Sequence, residues 1–323
     1  MRLLRAAARR LLTSAATLLC VTAIVFALLH LAPGEATDAA DEGRVPRAQV
    51  EALRSQLHLD DPPLRRYGLW LRDLLHGDLG SSFATGRPVR VVIGERLRLT
   101  VGLNAAALAM MLALAVPVGA AAAWRQGSAL DRWSGLLSYG LYALPVFWAA
   151  LVLQSVFAVR LEWLPLYGPA PSAARAAGGF MALRASVAHG VLPVLCLSYP
   201  GVAYLSRFVR GTLAEALTAD AARAARARGA GSPLAVLGHA FRIAAVPMLT
   251  MLGFLLPGLV GGSVLVETIF ALPGLGQLLV EAVAGRDVPV VLGLTLLSGA
   301  AVLAGMLASD LAALAVDPRL RRA

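Results

Sequence analysis

The chain has 323 residues, 58% of them hydrophobic and 15% charged, with a mean hydropathy of +0.71. A soluble domain carries about 25% charged residues and roughly 45–50% apolar ones, so these charges are too few to coat soluble domains adding up to this length. Lipid is therefore the solvent for most of the chain, which excludes a soluble enzyme and a disordered scaffold.

The net charge of +10 raises nucleic acid as a partner, but the placement of the charge argues against it. All 29 basic residues are arginine, and they lie between long apolar runs rather than on one folded polar face. Cys20 and Cys196 fall inside apolar runs and define neither a disulfide framework nor a zinc site. The five histidines (His30, His58, His76, His189 and His239) are scattered without metal-ligand spacing. No metal and no cofactor is expected.

A transmembrane helix needs about 20 mostly apolar residues. Six runs qualify: Leu11–Leu31, Leu99–Ala123, Leu136–Val159, Val187–Leu205, Ile243–Val266 and Val288–Val316. They are continuous rather than alternating, so the expected class is an all-α integral membrane protein and not a β-barrel. The first run, preceded by Arg2, Arg5, Arg9 and Arg10, also invites a signal-peptide reading. Its length of 21 residues exceeds the roughly 7–15 of a signal core, and Pro33-Gly34-Glu35 is a poor cleavage site. Residues 1–31 are thus expected to form a cytoplasmic segment and a retained first helix.

Residues 32–98 are expected to form an extracytoplasmic subdomain. Pro46–Leu59 sets Val50, Leu53 and Leu57 at helical spacing. Leu64–His76 places Tyr67, Leu71, Leu74 and Leu75 on one side, the pattern of an amphipathic helix at the membrane surface. Packing onto the bundle and docking of an external partner are both compatible with it.

Residues 99–316 are expected to form a core of five helices, followed by a cytoplasmic tail, 317–323. Prolines recur within the runs at Pro117, Pro145, Pro193, Pro200, Pro247 and Pro257, which membrane helices tolerate where neighbours satisfy the released carbonyls. Pro247 and Pro257, with Gly253, Gly258, Gly261 and Gly262, mark the fifth run for bending or for packing through small residues. Glu267–Leu279 is expected to be a short external piece broken by Pro273, Gly274 and Gly276.

Orientation follows from the short loops. With the N-terminus inside, fifteen arginines fall on the cytoplasmic side, among them Arg125, Arg132, Arg207 and Arg210, whereas the two short loops opposite hold only Arg160, Arg175, Arg184 and Arg286. Both termini are thus expected in the cytoplasm.

The longest cytoplasmic connection, 207–242, is expected to form two short helices beneath the membrane. Leu213, Leu217, Ala221, Ala224 and Ala225 recur at helical spacing, Asp220 lies one turn from Arg223, Gly229 ends the first helix, and Ser232-Pro233 starts the second. The small residues Ala224, Ala225, Ala227 and Gly229 admit the close approach of another protein, and Arg223, Arg226 and Arg228 can bond its carboxylates. Arginines held on anionic lipid headgroups are an equal alternative on physical grounds.

No GxxxxGK[ST] motif and no catalytic constellation is present, so neither ATP binding nor catalysis is expected of this chain. Asp310, His189 and Glu267 are the ionisable residues within or at the edge of the later runs. They leave open an ATP-independent secondary transporter, which holds such groups as coupling sites, as the rival to ATP-driven transport. A membrane-embedded enzyme ranks behind both.

The chain resembles the inner-membrane permeases of binding-protein-dependent ABC importers, specifically the first of the two permeases in dipeptide, oligopeptide and nickel systems. The resemblance runs nearly end to end. It is carried by Arg9-Arg10, LAPGE (Leu31–Glu35), LRSQLHLDDPPLRRYGLWL (Leu53–Leu71), HGDLGSS (His76–Ser82), VPVGAAAAWRQGSALDR (Val116–Arg132) and YALPVFW (Tyr142–Trp148). It continues through DAARAARARG (Asp220–Gly229), HAFRIAAVPMLT (His239–Thr250), ETIFALPGLGQLL (Glu267–Leu279), GRDVPVV (Gly285–Val291) and VDPRLR (Val316–Arg321).

The resemblance implies a type I ABC-importer permease fold in the bacterial cytoplasmic (inner) membrane. It further implies a second homologous permease, two ABC ATPase subunits and an extracytoplasmic substrate-binding protein as partners, and di- or oligopeptides, nickel chelates or glutathione as cargo. It makes Asp220, Arg223, Ala224, Ala225, Arg226, Ala227, Arg228 and Gly229 the ATPase-coupling loop. Arg223, Ala224, Ala225 and Gly229 fill the slots of the general E-A-A-x3-G pattern. Ala221 and Ile243 stand where tyrosine and asparagine are usual.

Overall fold

The structure, a computed structural model, describes residues 2–31, 61–176, 178–218, 233–261 and 263–316. Its helices are α1 (Arg2–Leu31), α2 (Pro63–Leu75), α3 (Val89–Trp124), α4 (Ala129–Ala143), α5 (Val146–Leu153), α6 (Ser172–Ala176), α7 (Gly179–Thr218), α8 (Pro233–Leu255), α9 (Gly258–Gly261), α10 (Val264–Ile269), α11 (Leu275–Ala284) and α12 (Val288–Val316). No strand occurs among the described residues; a single antiparallel bridge joins Ser81 and Pro88. Among the described residues, five helical stretches are long and apolar enough to cross a membrane, and the pair α4–α5 makes a sixth if it is counted as one broken span.

The third expected span is the main correction. Leu136–Val159 is not one straight helix: α4 and Val146–Arg160 meet at 95°. Pro145 cannot donate a backbone hydrogen bond and forces the residue before it out of helical geometry. Leu144 accordingly sits at φ −76°, ψ 124°, and Pro145 opens the next helix. Beyond α5, residues Gln154–Arg160 continue as a π-helix.

Other boundaries shift. α3 begins at Val89, ten residues before the expected start at Leu99. α7 continues to Thr218, so Arg207–Thr218 prolongs the helix of the fourth span beyond its apolar run instead of opening a separate helix beneath the membrane. Its Leu213 and Leu217 are buried, and that burial favours propagation of a helix already nucleated. α8 begins at Pro233, the expected start of a second short helix, but runs on without a break into the fifth span, ten residues before the expected start at Ile243, with Pro247 inside it; the break comes near Pro257, before the short α9. Gly276 lies within α11 rather than breaking the chain, and the break after α10 falls at Ala271–Gly274. The predicted helix Pro46–Leu59 lies outside the described residues.

The chain divides into two compact units, Met1–Arg98 with Gly274–Leu303, and Leu99–Pro273 with Ala304–Ala323. In the first unit, α2 packs against α1 through Tyr67. Its hydroxyl donates to the Leu19 carbonyl at 3.1 Å and shares a 3.0 Å hydrogen bond with Thr22 Oγ1, while its ring lies 5.3 Å from that of Phe26. Leu75, expected on the packed face, is 86% exposed. α12 approaches α3 at Gly293, where a Cβ would lie 2.8 Å from Val89 Cγ1.

The second unit holds two apolar clusters. One gathers Met111, Ala115 and Ala123 of α3, Leu205, Val209, Leu213, Ala216 and Leu217 of α7, and Ala240 and Ala244 of α8. The other gathers Ala150 of α5, Leu192 and Cys196 of α7, Val266 of α10, and Phe270 and Leu272. Small residues set the spacing between α8 and α12: Ser309 occupies the place a Cβ on Gly253 would take, and a Cβ on Gly305 would lie 2.9 Å from Pro257 Cδ. Of the fifth-span glycines Gly253 thus serves packing, whereas a Cβ on Gly258 or Gly261 would meet nothing within 4 Å.

Candidate functional site

The first cluster frames the connection between Thr218 and Pro233, and its geometry starts at the short turn between α3 and α4. Gly127 adopts φ +73°, a backbone state that suits glycine. Ser128 then caps α4 by accepting from the Asp131 backbone N–H at 3.3 Å, and the Asp131 carboxylate accepts from the Gly127 N–H at 3.0 Å. A cap of this kind contributes about 1 kcal/mol.

Asp131, Ser134, Gly135 and Ser138 follow at three- and four-residue intervals and share one side of α4. Arg210 of α7 bonds Asp131 through both Nε and Nη2. One turn further along α4, a Cβ on Gly135 would lie 3.3 Å from Arg207 Nη1. Beyond that, the hydroxyls of Ser138 and Ser206 meet at 3.1 Å. As numbers rise on α4 they fall on α7, so the two helices run antiparallel. α3 approaches α7 at Gly119, where a Cβ would lie 2.5 Å from the Ser206 carbonyl oxygen and 2.8 Å from Val209 Cβ; here both sets of numbers rise together, from Met111 beside Gly201 to Gly119 beside Val209. Alternating direction through α3, α4 and α7 is what consecutive spans require, and it places the α3–α4 turn and the end of α7 at one end of the unit.

Above this frame the chain leaves α7 at Thr218 and returns at Pro233. The predicted coupling residues Asp220, Arg223, Ala224, Ala225, Arg226, Ala227, Arg228 and Gly229 lie outside the described residues. Their supports do not: Leu213, Ala216 and Leu217, in the last turns of α7, are buried against α3 and against Ala240 and Ala244 of α8. At about 1.5 Å per residue, the 40 residues of α7 form a rod of roughly 60 Å leading away from the connection. The two helices that flank residues 219–232 are thus packed against each other at their ends.

The other residues singled out by sequence are dispersed. His189 bonds the Ala185 carbonyl within its own helix through Nδ1, at 2.8 Å. Glu267 is buried and accepts from Thr100 Oγ1 at 3.0 Å. The backbone of Asp310 lies in α12; its side chain is outside the described residues. Sequence reasoning missed Asp287, which is 2% exposed and accepts from Ser82 Oγ, Phe83 N–H and Ala84 N–H at 2.5, 3.0 and 3.2 Å. It joins HGDLGSS to GRDVPVV, two motifs quoted above for other reasons. It missed Asp131 as well, whose signal was the S-x-x-D spacing of a helix cap.

Residues 115–322 match the family of binding-protein-dependent transport system inner membrane components, and residues 3–104 match the N-terminal part of the membrane components of such systems. The chain belongs to this family. It is a multi-pass membrane permease, not a catalytic enzyme, and its systems rely on a binding protein and on ATPase activity carried by separate subunits. It is 36% identical over 315 residues, covering 97% of this chain and 98% of the relative, to the "Probable peptide ABC transporter permease protein y4tP" of Sinorhizobium fredii. It is 33% identical over 330 residues, covering 98% of both, to the dipeptide transport system permease protein DppB of Alkalihalophilus pseudofirmus. The permease thus matches these relatives over almost its whole length.

Proposed function

We propose that the permease lies in the bacterial cytoplasmic membrane with both termini inside and forms, with a second homologous permease, the path by which di- or oligopeptides enter the cell. Two ATPase subunits dock on the cytoplasmic face, and an extracytoplasmic binding protein delivers the cargo to the other. The names of the relatives support the peptide substrate, and the arginine asymmetry of the loops supports the orientation.

The observation that carries the ATP-driven reading is the packed joint at Leu213, Leu217, Ala240 and Ala244. The helices on either side of residues 219–232, α7 and α8, meet in this joint, so an ATPase docked on the Asp220–Gly229 segment would move both. Closure of the ATPase pair on ATP then rocks the helices between inward- and outward-open states. The described buried carboxylates do not favour ion coupling, because Glu267 is engaged by Thr100 and Asp287 by Ser82.

Affinity purification through a C-terminal tag, after gentle solubilisation of native membranes, tests the assembly. The expected result is co-purification of a second permease and P-loop ATPase subunits. A monomer or homodimer without ATPase, from membranes whose other complexes survive the treatment, overturns the reading.

A further inference from the structure

The face of α7 that meets α3 and α4 lines an open-sided cavity of about 450 Å³, within the roughly 300–1,000 Å³ of ligand pockets. Its wall carries Arg132, Arg207 and Arg210 against one carboxylate, Asp131, a formal excess of two positive charges (three minus one). That carboxylate is occupied, since Arg210 takes both of its oxygens. Arg207 has no carboxylate within ion-pair distance among the described residues. Its guanidinium carbon lies 3.9 Å from the centroid of the Tyr139 ring, a cation–π contact that braces the charge without supplying an acceptor in the plane of its N–H groups. A guanidinium braced this way presents its fork to an anion, and phosphate is the anion that fork fits best.

The surroundings say where the anion comes from. Arg207 follows the apolar run Val187–Leu205 by two residues, so it stands where the lipid tails give way to headgroups. On the outward side of α4, Trp133, Leu136 and Leu137 are 69%, 61% and 63% exposed, an apolar surface beside the basic cavity. A ligand with a phosphate at one end and acyl chains at the other fills both. We propose that this cavity holds the headgroup phosphate of an anionic phospholipid from the leaflet on the coupling-loop side. Arg207 would be its principal contact and Trp133 and Leu137 would lie along its chains. The inference requires only that these helices span a bilayer and stands apart from the transport reading.

Native mass spectrometry of the full-length permease in mild detergent tests it, with phosphatidylglycerol and phosphatidylcholine titrated in turn. The expected result is one phosphatidylglycerol held at least fivefold more tightly than phosphatidylcholine. Arg207→Gln should weaken it by about fivefold, the worth of one interfacial arginine. Gly135→Leu keeps every arginine but displaces the Arg207 head, and should cause a similar loss. Arg160→Gln, at the far end of the α4–α5 pair, removes the same charge and should change nothing. Gly135→Leu decides the matter if Arg207→Gln does not yield folded protein. Equal binding of the two lipids, or equal losses in Arg207→Gln and Arg160→Gln, overturns the proposal. So does displacement of the lipid by millimolar inorganic phosphate, which would assign the cavity to a soluble anion.

Discussion

Asp131 and Arg210 are 79 residues apart in sequence and meet as a bidentate pair, Nε to Oδ1 at 3.0 Å and Nη2 to Oδ2 at 2.8 Å. The pair ties the start of α4 to α7, the helix that precedes the proposed coupling loop. Because the Arg210 side chain is 40% exposed, water recovers part of what its loss removes, and the expected coupling energy is about 1 kcal/mol. Asp131→Ala also removes the bond to the Gly127 N–H, so it should cost more than Arg210→Ala. A double-mutant cycle on the unfolding of the purified permease checks this. Strictly additive losses would mean that the pair contributes nothing.

Asp287 should be the more expensive carboxylate to lose. It is buried, as is Ser82, and it satisfies one hydroxyl and two backbone N–H groups. Asp287→Ala leaves the buried Ser82 hydroxyl and two part-buried backbone N–H groups without their acceptor, at a cost of about 2–3 kcal/mol. Asp287→Asn keeps one accepting oxygen and should cost about half as much. Ser82→Ala removes one of the three bonds to Asp287 and the part-buried bond from the Thr85 N–H, and should still cost less than Asp287→Ala. Thermal unfolding of the three variants gives the order, and a harmless Asp287→Ala would remove the loop anchor from the argument.

Gly119 and Gly211 make opposite predictions from the same residue type. A methyl on Gly119 would strike the Ser206 carbonyl oxygen, which is backbone and cannot rotate aside, whereas one on Gly211 meets nothing within 4 Å. Gly119→Ala should therefore destabilise by about 1–3 kcal/mol as α3 and α7 are forced apart. Gly211→Ala should be neutral or stabilise by up to about 1 kcal/mol through helix propensity. Similar unfolding temperatures for the two variants would contradict the close approach.

The spans were legible in the sequence because their apolar runs are continuous, and composition alone marks those. The 95° break was not. Pro117, Pro193, Pro200 and Pro247 all sit inside intact helices, whereas Pro145 starts a new one, and nothing within the local sequence separates the two outcomes. Charge misled in one place: Arg207 and Arg210 read as loop residues, yet both lie in α7, one stacked on Tyr139 and the other paired with Asp131. The Asp287 anchor depends on two segments 205 residues apart, a pairing that spacing rules do not reach. The order of motifs, by contrast, identified the family that the chain belongs to before any geometry was known.

The coupling-loop assignment makes its strongest prediction at Gly229. The joint beneath the loop is built from Leu213, Leu217, Ala240 and Ala244, none of which a change at Gly229 alters in sequence, so the membrane helices should remain folded. If an ATPase surface must approach the small residues from Ala224 to Gly229, Gly229→Trp blocks it sterically. The expected outcome is a fall of more than about tenfold in ATP-dependent uptake, the equivalent of about 1.4 kcal/mol of lost docking, with permease abundance and unfolding temperature unchanged. Gly229→Ala should fall between the two, since one methyl group obstructs less than an indole. Co-purification of the ATPase subunits should decline in the same order as uptake, which ties the defect to docking rather than to the translocation path. Full transport by Gly229→Trp would reject this loop as the contact, and the coupling surface would then have to be sought elsewhere on the cytoplasmic ends of α3, α4 and α8.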